Sequence, residues 1–223
     1  MKTKLFTIAM MVALILAAIT RGQAQEYDGP CLPPTHGLDD HQSAFCGSTE
    51  TQTIALSAGT NWFSTNLDIT LDDLKAALVA ATPDKSITIK GKNNNTVYIP
   101  RLNRWNGTLT WDVASMYRIT VEEDCELVLE GMPLNPAQHP ITIEGNGIVN
   151  WIGYPFAESM TPTAAFDGFA VNNDVVKYKT TNSKYVRGRW TNGVTSLDAG
   201  KGYLYISAPD APDRTFTFPT SAK

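Results

Sequence analysis

The sequence predicts an α+β fold that is mostly antiparallel β, with one short helix per repeat and two homologous modules in tandem. Two observations support this prediction. Short segments that alternate in polarity or carry β-branched residues recur along the chain, and helical periodicity is confined to two places. The same landmark residues also occur twice, in the same order, in residues 51–131 and 140–219.

Residues 1–24 have the three-part pattern of a secretory signal peptide. Lys2 and Lys4 precede the apolar run of residues 5–19, and small side chains precede the expected cleavage after Ala24. The apolar run is shorter than the roughly 20 residues that a membrane-spanning helix needs. We therefore expect a secreted protein, in the periplasm, on the outer surface or outside the cell, with no transmembrane segment after cleavage.

Residues 25–50 form an N-terminal leader that is rich in Pro, Gly and Asp. Because export permits disulfides, we expect a bond between Cys31 and Cys46, which would stabilise the leader by up to about 3 kcal/mol. The third cysteine, Cys125, lies in a predicted strand. We expect it to be a small buried hydrophobic residue, and the alternative is a catalytic thiol.

Each module contains one predicted helix. In the first module the helix follows Thr70 and ends before Pro83, with acidic residues in its first turn. In the second module Thr161 begins a helix that Gly168 keeps short. Strands are expected at residues 87–90, 117–121 and 126–129 of the first module and at residues 175–177, 203–206 and 215–218 of the second.

The repeated landmarks keep nearly equal spacing in the two modules, and residues 132–136 form the connector. The triplet Lys90-Gly91-Lys92 corresponds to Lys177-Tyr178-Lys179. The other landmarks are the pairs Asn61 and Asn150, Asn95 and Asn182, Tyr98 and Tyr185, Arg104 and Arg189, Trp105 and Trp190, Gly107 and Gly193, Asp112 and Asp198, and Tyr117 and Tyr203.

Residues 58–64 (AGTNWFS) and 197–203 (LDAGKGY) resemble the opening and closing motifs of a Trp-rich module of secreted and cell-surface Bacteroidota proteins. In that family the module is often in tandem and often adjoins adhesive or carbohydrate-active domains. The resemblance extends over both copies, although residues 114–116 of the first copy depart from the closing pattern. It implies adhesion or carbohydrate binding at the cell surface, and it carries over no catalytic residues.

Charge and motifs argue against several classes of function. A net charge of −4 disfavours nucleic acid as a partner. Two histidines, His36 and His41, flank a pair of aspartates, but their spacing fits no standard metal-ligand pair, and a solvated loop is expected there. The chain has no phosphate-binding glycine loop and no nucleophile elbow. We therefore expect no enzyme activity, no cofactor, no metal and no catalytic residues, although paired carboxylates for glycoside hydrolysis remain an alternative.

The repeated aromatic residues are the best candidates for binding. Trp62 and Trp151 lie in apolar runs and are expected in the core. Trp105 and Trp190 each follow an arginine in a polar stretch, which is typical of sugar binding, although arginine stacking alone would explain the same pattern. The predicted ligand-binding residues are Lys90, Asn95, Tyr98, Arg104 and Trp105 with their counterparts Lys177, Asn182, Tyr185, Arg189 and Trp190.

The function predicted from the sequence is a secreted, non-catalytic interaction module that binds glycan or an extracellular protein. Two similar sites would give avidity if both copies bind. The alternatives are a structural or spacer protein without its own ligand, and a hydrolase or inhibitor.

Overall fold

A computed structural model describes residues 48–220, which belong to one compact unit. They form antiparallel sheets with two α-helices, which confirms the predicted fold class. Within these residues no helix is long and apolar enough to cross a membrane. The predicted signal peptide, most of the leader and the expected bond between Cys31 and Cys46 lie outside the described residues.

The first half of the structure comprises residues 50–133. Its elements, in order, are β1 (Glu50–Leu56), β2 (Gly59–Phe63), β3 (Leu67–Asp68), α1 (Leu71–Ala81), β4 (Ile87–Lys90), β5 (Asn95–Ile99), a 3-10 turn (Pro100–Leu102), β6 (Arg104–Thr108), β7 (Tyr117–Val121) and β8 (Cys125–Pro133). A second 3-10 turn (Pro136–Gln138) lies between β8 and the second half.

The second half comprises residues 141–218. Its elements are β9 (Ile141–Ile143), β10 (Val149–Ile152), α2 (Pro162–Ala165), β11 (Val175–Tyr178), β12 (Thr181–Val186), β13 (Arg189–Trp190), β14 (Tyr203–Ile206) and β15 (Arg214–Phe216).

The five-stranded sheets of the two halves have the same topology, whereas β3, which pairs with β8, has no counterpart among residues 141–218 of the second half. The first half contains a five-stranded sheet in the order β2-β7-β4-β5-β6, and the second contains one in the order β10-β14-β11-β12-β13. Taken in chain order, each strand of one sheet has its counterpart at the same position in the other. The first and last strands of each half along the chain also correspond, because β1 pairs with β8 and β9 pairs with β15. This common order supports the tandem duplication, which remains a prediction from the sequence.

Helix α1 forms where its capping residues predict it. Thr70 accepts a hydrogen bond from the Asp73 amide, and the Asp73 carboxylate accepts one from the Thr70 amide, so the first turn is closed by a capping box. Leu74 and Leu78 are fully buried one turn apart, and they form the apolar face of the helix. The helix packs against β8 of the sheet formed by β1, β8 and β3. Helix α2 begins after Thr161, as predicted, and has four residues.

Each half has its own hydrophobic core. The first core is mostly aliphatic, with α1 packed on alternate inward residues of the sheet. The second core is dominated by aromatic rings, and the Phe166 ring lies within 6.1 Å, centroid to centroid, of those of Trp190, Tyr205, Phe216 and Phe218. This difference means that the two halves reach the same topology with different side-chain packing.

The halves meet beside β2 and β10. The Gly202 amide donates to the Trp62 carbonyl oxygen at 3.2 Å, and Phe63 forms an isolated antiparallel bridge with Lys201. Residues of both halves therefore line the spaces along this junction.

Candidate functional site

The predicted aromatic residues form one matching pair in each half. Tyr98 and Trp105 are register partners on β5 and β6, with ring centroids 5.4 Å apart. Tyr185 and Trp190 are register partners on β12 and β13, with centroids 5.2 Å apart. The structure therefore brings the predicted pairs together at the same edge of each five-stranded sheet.

The tryptophans of these pairs are half-buried, and the protein itself covers part of each ring. Trp105 packs against the first core, with the Lys75 Nζ 5.9 Å from its ring centroid. Trp190 packs on Phe166, with centroids 5.7 Å apart. The Tyr98 hydroxyl donates to the Asn103 Oδ1 at 2.7 Å. Part of each ring therefore serves packing within its own half.

The polar members of the predicted site lie on the same two sheets. Lys90 pairs in register with Asn95, and Lys177 pairs with Asn182. Asn95 and Asn182 lie on the strands that carry the tyrosines, and their side chains are exposed. Lys90 and Lys177 lie on the neighbouring strands β4 and β11. Arg104 and Arg189 are exposed on the edge strands β6 and β13. Ligand binding by these residues stays a prediction.

Trp62 and Trp151 lie at the junction between the halves, not in the core as the sequence suggested. Both are half-buried, whereas their neighbours Phe63 and Ile152 are fully buried. Successive side chains of a strand point to opposite faces, so burying Phe63 and Ile152 directs the tryptophans to the other side of β2 and β10.

Arg118 lies between these two tryptophans. Its guanidinium carbon is 5.2 Å from the Trp62 ring centroid and 4.8 Å from the Trp151 ring centroid. A cation over the face of an aromatic ring is attracted by the negative potential of that face. The Arg118 guanidinium therefore packs over the rings of both tryptophans.

A cavity of about 440 Å³ lies between the two halves, beside Trp151. Its lining combines aromatic surface with polar groups of both signs. The lining residues that bear on its chemistry are Lys92, Asn94, Asp112, Tyr117, Glu144 and Trp151.

Tyr117 is a rigid part of this cavity. Its hydroxyl accepts a hydrogen bond from the Asp112 amide at 2.7 Å and donates to the Thr110 carbonyl at 3.1 Å. Its ring stacks on Trp111, with centroids 4.6 Å apart, and the Trp111 indole donates to the Ile69 carbonyl at 2.9 Å. Burial raises the pKa of Tyr117 to about 12, so the hydroxyl stays neutral at physiological pH.

The polar rim of the cavity joins the two halves. The Lys92 Nζ is 2.8 Å from the Glu144 Oε2, and both side chains are partly exposed. The Asn94 side-chain amide donates to the Thr110 Oγ1 at 3.0 Å, and Asp112 is exposed beside it. The rim therefore offers hydrogen-bond donors and acceptors around an aromatic surface.

Among the described residues, the metal-ligating side chains are dispersed and the Cys125 thiol is not activated. Across residues 48–220, no three His, Cys, Asp or Glu side chains lie close enough to hold a metal ion. Burial raises the pKa of the Cys125 thiol, and Glu123 and Asp124 raise it further. A raised pKa lowers the fraction of thiolate, which is the nucleophilic form, so this environment is the opposite of an activated thiol. His36 and His41 lie outside the described residues.

The cavity was not among the predicted sites. One difference between the repeats does lie at the cavity. Gly91 and its counterpart Tyr178 are both flanked by lysines, but Gly91 has no side chain where Tyr178 has an aromatic ring. Comparisons with known protein families, with characterised proteins and with solved structures find no significant match.

Proposed function

We propose that this chain is a secreted, non-catalytic glycan-binding protein whose ligand enters the cavity between its two halves. The observation that carries the proposal is one cavity that combines the half-buried Trp151 ring, beside the buried Tyr117, with a polar rim of Lys92, Asn94 and Glu144. Its volume of about 440 Å³ lies within the range of roughly 300–1,000 Å³ that is usual for small-molecule sites.

A saccharide fits this chemistry better than a charged or purely apolar ligand does. Sugars present C–H faces, which pack on aromatic rings, and hydroxyl groups, which both donate and accept hydrogen bonds. The cavity supplies aromatic surface together with an ammonium group, a side-chain amide and carboxylates. A site for an anion would carry mostly donors, whereas Asp112 and Glu144 add acceptors here.

The proposed location outside the cytoplasm rests on the N-terminal sequence. Two lysines, an apolar run, and the small residues Gly22 and Ala24 before the expected cleavage form the pattern of a secretory signal peptide. Glycans are abundant at cell surfaces, so the proposed location and ligand agree.

A glycan array probed with the purified secreted protein tests this proposal. We expect the wild-type protein to be retained and Trp151→Ala to lose at least tenfold in retention, because the ring that packs on the sugar is removed. The controls are Trp105→Ala and Trp190→Ala, which should keep binding if they also keep the circular dichroism spectrum of the wild type. Loss of binding in these two variants, with binding retained in Trp151→Ala, would instead place the site on the predicted aromatic pairs.

A structural or spacer protein is the second candidate, and the half-buried positions of Trp105 and Trp190 favour it. Rings that are covered by Lys75 and Phe166 serve packing as well as they would serve binding. Failure of the wild-type protein to bind any glycan or extracellular protein in such screens would support this candidate.

A further inference from the structure

Gly91 and Tyr178 occupy equivalent places in the two halves. Gly91 follows Lys90 directly after β4, and Tyr178 follows Lys177 as the last residue of β11. These two strands have the same place in the order of their five-stranded sheets. The two lysines have matching registers, because Lys90 pairs with Asn95 and Lys177 pairs with Asn182. The side chains at this place differ by a whole aromatic ring.

In the second half the Tyr178 ring fills the space beside the junction. Its centroid lies 5.9 Å from that of Trp62 and 5.4 Å from that of Tyr203. The Lys201 Nζ lies 5.3 Å from the centroid of the Tyr178 ring. The half-buried ring of Tyr178 is thus flanked by a tryptophan, a tyrosine and a lysine side chain.

In the first half the counterparts of these three residues line the open cavity. They are Trp151, Tyr117 and Ser115, and Gly91 stands beside them without a side chain. A Cβ atom added to Gly91 would lie 3.2 Å from the Leu109 Cδ1 and 3.4 Å from the Tyr117 Cε1. The contact with Leu109 is tighter than usual, so a side chain at residue 91 needs a small shift of its neighbours. By correspondence with Tyr178, the ring of a tyrosine at residue 91 would then lie in the cavity.

We propose that this cavity binds a single pyranose ring in the place that the Tyr178 ring fills in the second half. The inference rests on the proposed glycan-binding function, and it specifies the size, position and number of bound rings. A pyranose is close to a phenol ring in size, and its hydroxyl groups would meet the polar rim, where Lys92, Asn94 and Glu144 lie. Because Tyr178 already fills the equivalent place, one chain binds one ring rather than two.

Two substitutions copy the second half into the first and so test the inference. Gly91→Tyr would supply the missing ring. Ser115→Lys would supply the counterpart of Lys201, whose Nζ bonds to the Asp198 Oδ2 at 2.8 Å, and Ser115 already bonds to the equivalent Asp112 Oδ2 at 3.0 Å. The new lysine therefore has a partner, which favours a folded variant that obstructs the cavity.

The probes are the methyl glycosides of glucose, galactose, mannose and N-acetylglucosamine, each followed by saturation-transfer difference NMR. We expect at least one glycoside to bind the wild-type protein, Gly91→Tyr to reduce its signal at least tenfold, and Ser115→Lys to weaken its binding at least threefold. Circular dichroism shows whether each variant is folded. If Gly91→Tyr does not fold, the result for Ser115→Lys is sufficient.

The outcomes separate this inference from the proposed function. If a glycoside binds the wild-type protein and both variants equally, the glycan-binding function stands and the ring position is wrong. If no glycoside binds the wild-type protein, the inference of a single bound ring is wrong, and the glycan array decides whether the glycan-binding function stands. If phenol binds the wild-type protein but not Gly91→Tyr, and no glycoside binds, the cavity accepts an aromatic ring and the inference of a pyranose is overturned.

Discussion

Ser64 and Gly153, which occupy equivalent positions after β2 and β10, make reciprocal contacts between the two halves. The Ser64 amide donates to the Gly200 carbonyl at 3.2 Å, and the Gly153 amide donates to the Ala114 carbonyl at 2.7 Å. In a two-fold interface each contact is repeated in the opposite direction. This pair supports a duplicated unit whose copies pack about a pseudo-two-fold axis, and the candidate cavity lies beside their junction.

Removing the Ser64 hydroxyl should weaken this junction. The hydroxyl donates to the Lys201 carbonyl at 2.7 Å and accepts from the Tyr154 amide at 3.0 Å, and Ser64 is 1% exposed. Ser64→Ala leaves both partners without that bond, so we expect a loss of about 1–3 kcal/mol in the free energy of unfolding. Urea unfolding measures it. The control is Thr60→Ala, at an exposed hydroxyl, and equal losses in the two variants would contradict the role given to Ser64.

The buried carboxylate of Asp174 should be a major contributor to stability. Asp174 is fully buried, and its oxygens accept hydrogen bonds from Arg214 at 3.1 and 3.2 Å and from the Tyr205 hydroxyl at 2.5 Å. Asp174→Asn leaves the Arg214 charge without its counter-charge, so we expect a loss of about 3–5 kcal/mol in the free energy of unfolding.

The matched control for this substitution is Glu123→Gln, which removes a partly exposed ion pair with Lys85. Surface pairs of this kind contribute at most about 1 kcal/mol. Chemical denaturation of both variants at pH 7 gives the comparison. A loss at Asp174 no larger than that at Glu123 would show that the buried pair adds little.

The cap of helix α1 should give a pH-dependent contribution to stability. Hydrogen bonds from the side chain and the backbone of Thr70 lower the pKa of Asp73 below its ordinary value of 3.8. Because the pKa of Asp73 is lowered by folding, its contribution to the free energy of unfolding is complete at pH values above 3.8. This contribution is lost as the pH falls through the pKa of Asp73 in the folded state. We expect Thr70→Ala to cost about 1 kcal/mol at pH 7 and less at pH 3. Urea unfolding at the two pH values tests this, and an equal or larger cost at pH 3 would be contrary to the account.

Cys125 should react slowly with alkylating reagents. Burial and the nearby Glu123 and Asp124 raise the pKa of its thiol, which lowers the thiolate fraction at pH 8. We expect iodoacetamide to modify Cys125 several-fold more slowly than it modifies glutathione, as measured by mass spectrometry of the peptide that contains it. Faster modification than that of glutathione would revive the catalytic-thiol alternative.

The sequence was sufficient for the parts of the fold that depend on local patterns. Thr70 and Thr161 begin their helices as predicted, and the predicted strand at residues 117–121 corresponds to β7. These elements are set by capping residues and by the alternation of side chains, which are properties of a few neighbouring residues.

Contacts between distant parts of the chain could not be predicted in the same way. The cavity depends on how residues 91–117 face residues 140–151, and the hydrogen bond of Arg214 joins it to a residue 40 positions away. An apolar run predicts burial, but it does not tell which side chain of a strand faces the core. For that reason Trp62 and Trp151 were expected in the core, although they lie beside it at the junction.

The central claim is that a sugar ring binds beside Trp151 and Gly91, and NMR of the isotopically labelled wild-type protein with a binding glycoside tests it most directly. The five tryptophan indole N–H groups give separate signals in such spectra. The account predicts that the signals of the Trp151 indole, the Asn94 side-chain amide and the Gly91 backbone amide shift on titration, while those of the Trp105 and Trp190 indoles do not. Shifts confined to Trp105 and Trp190 would contradict it.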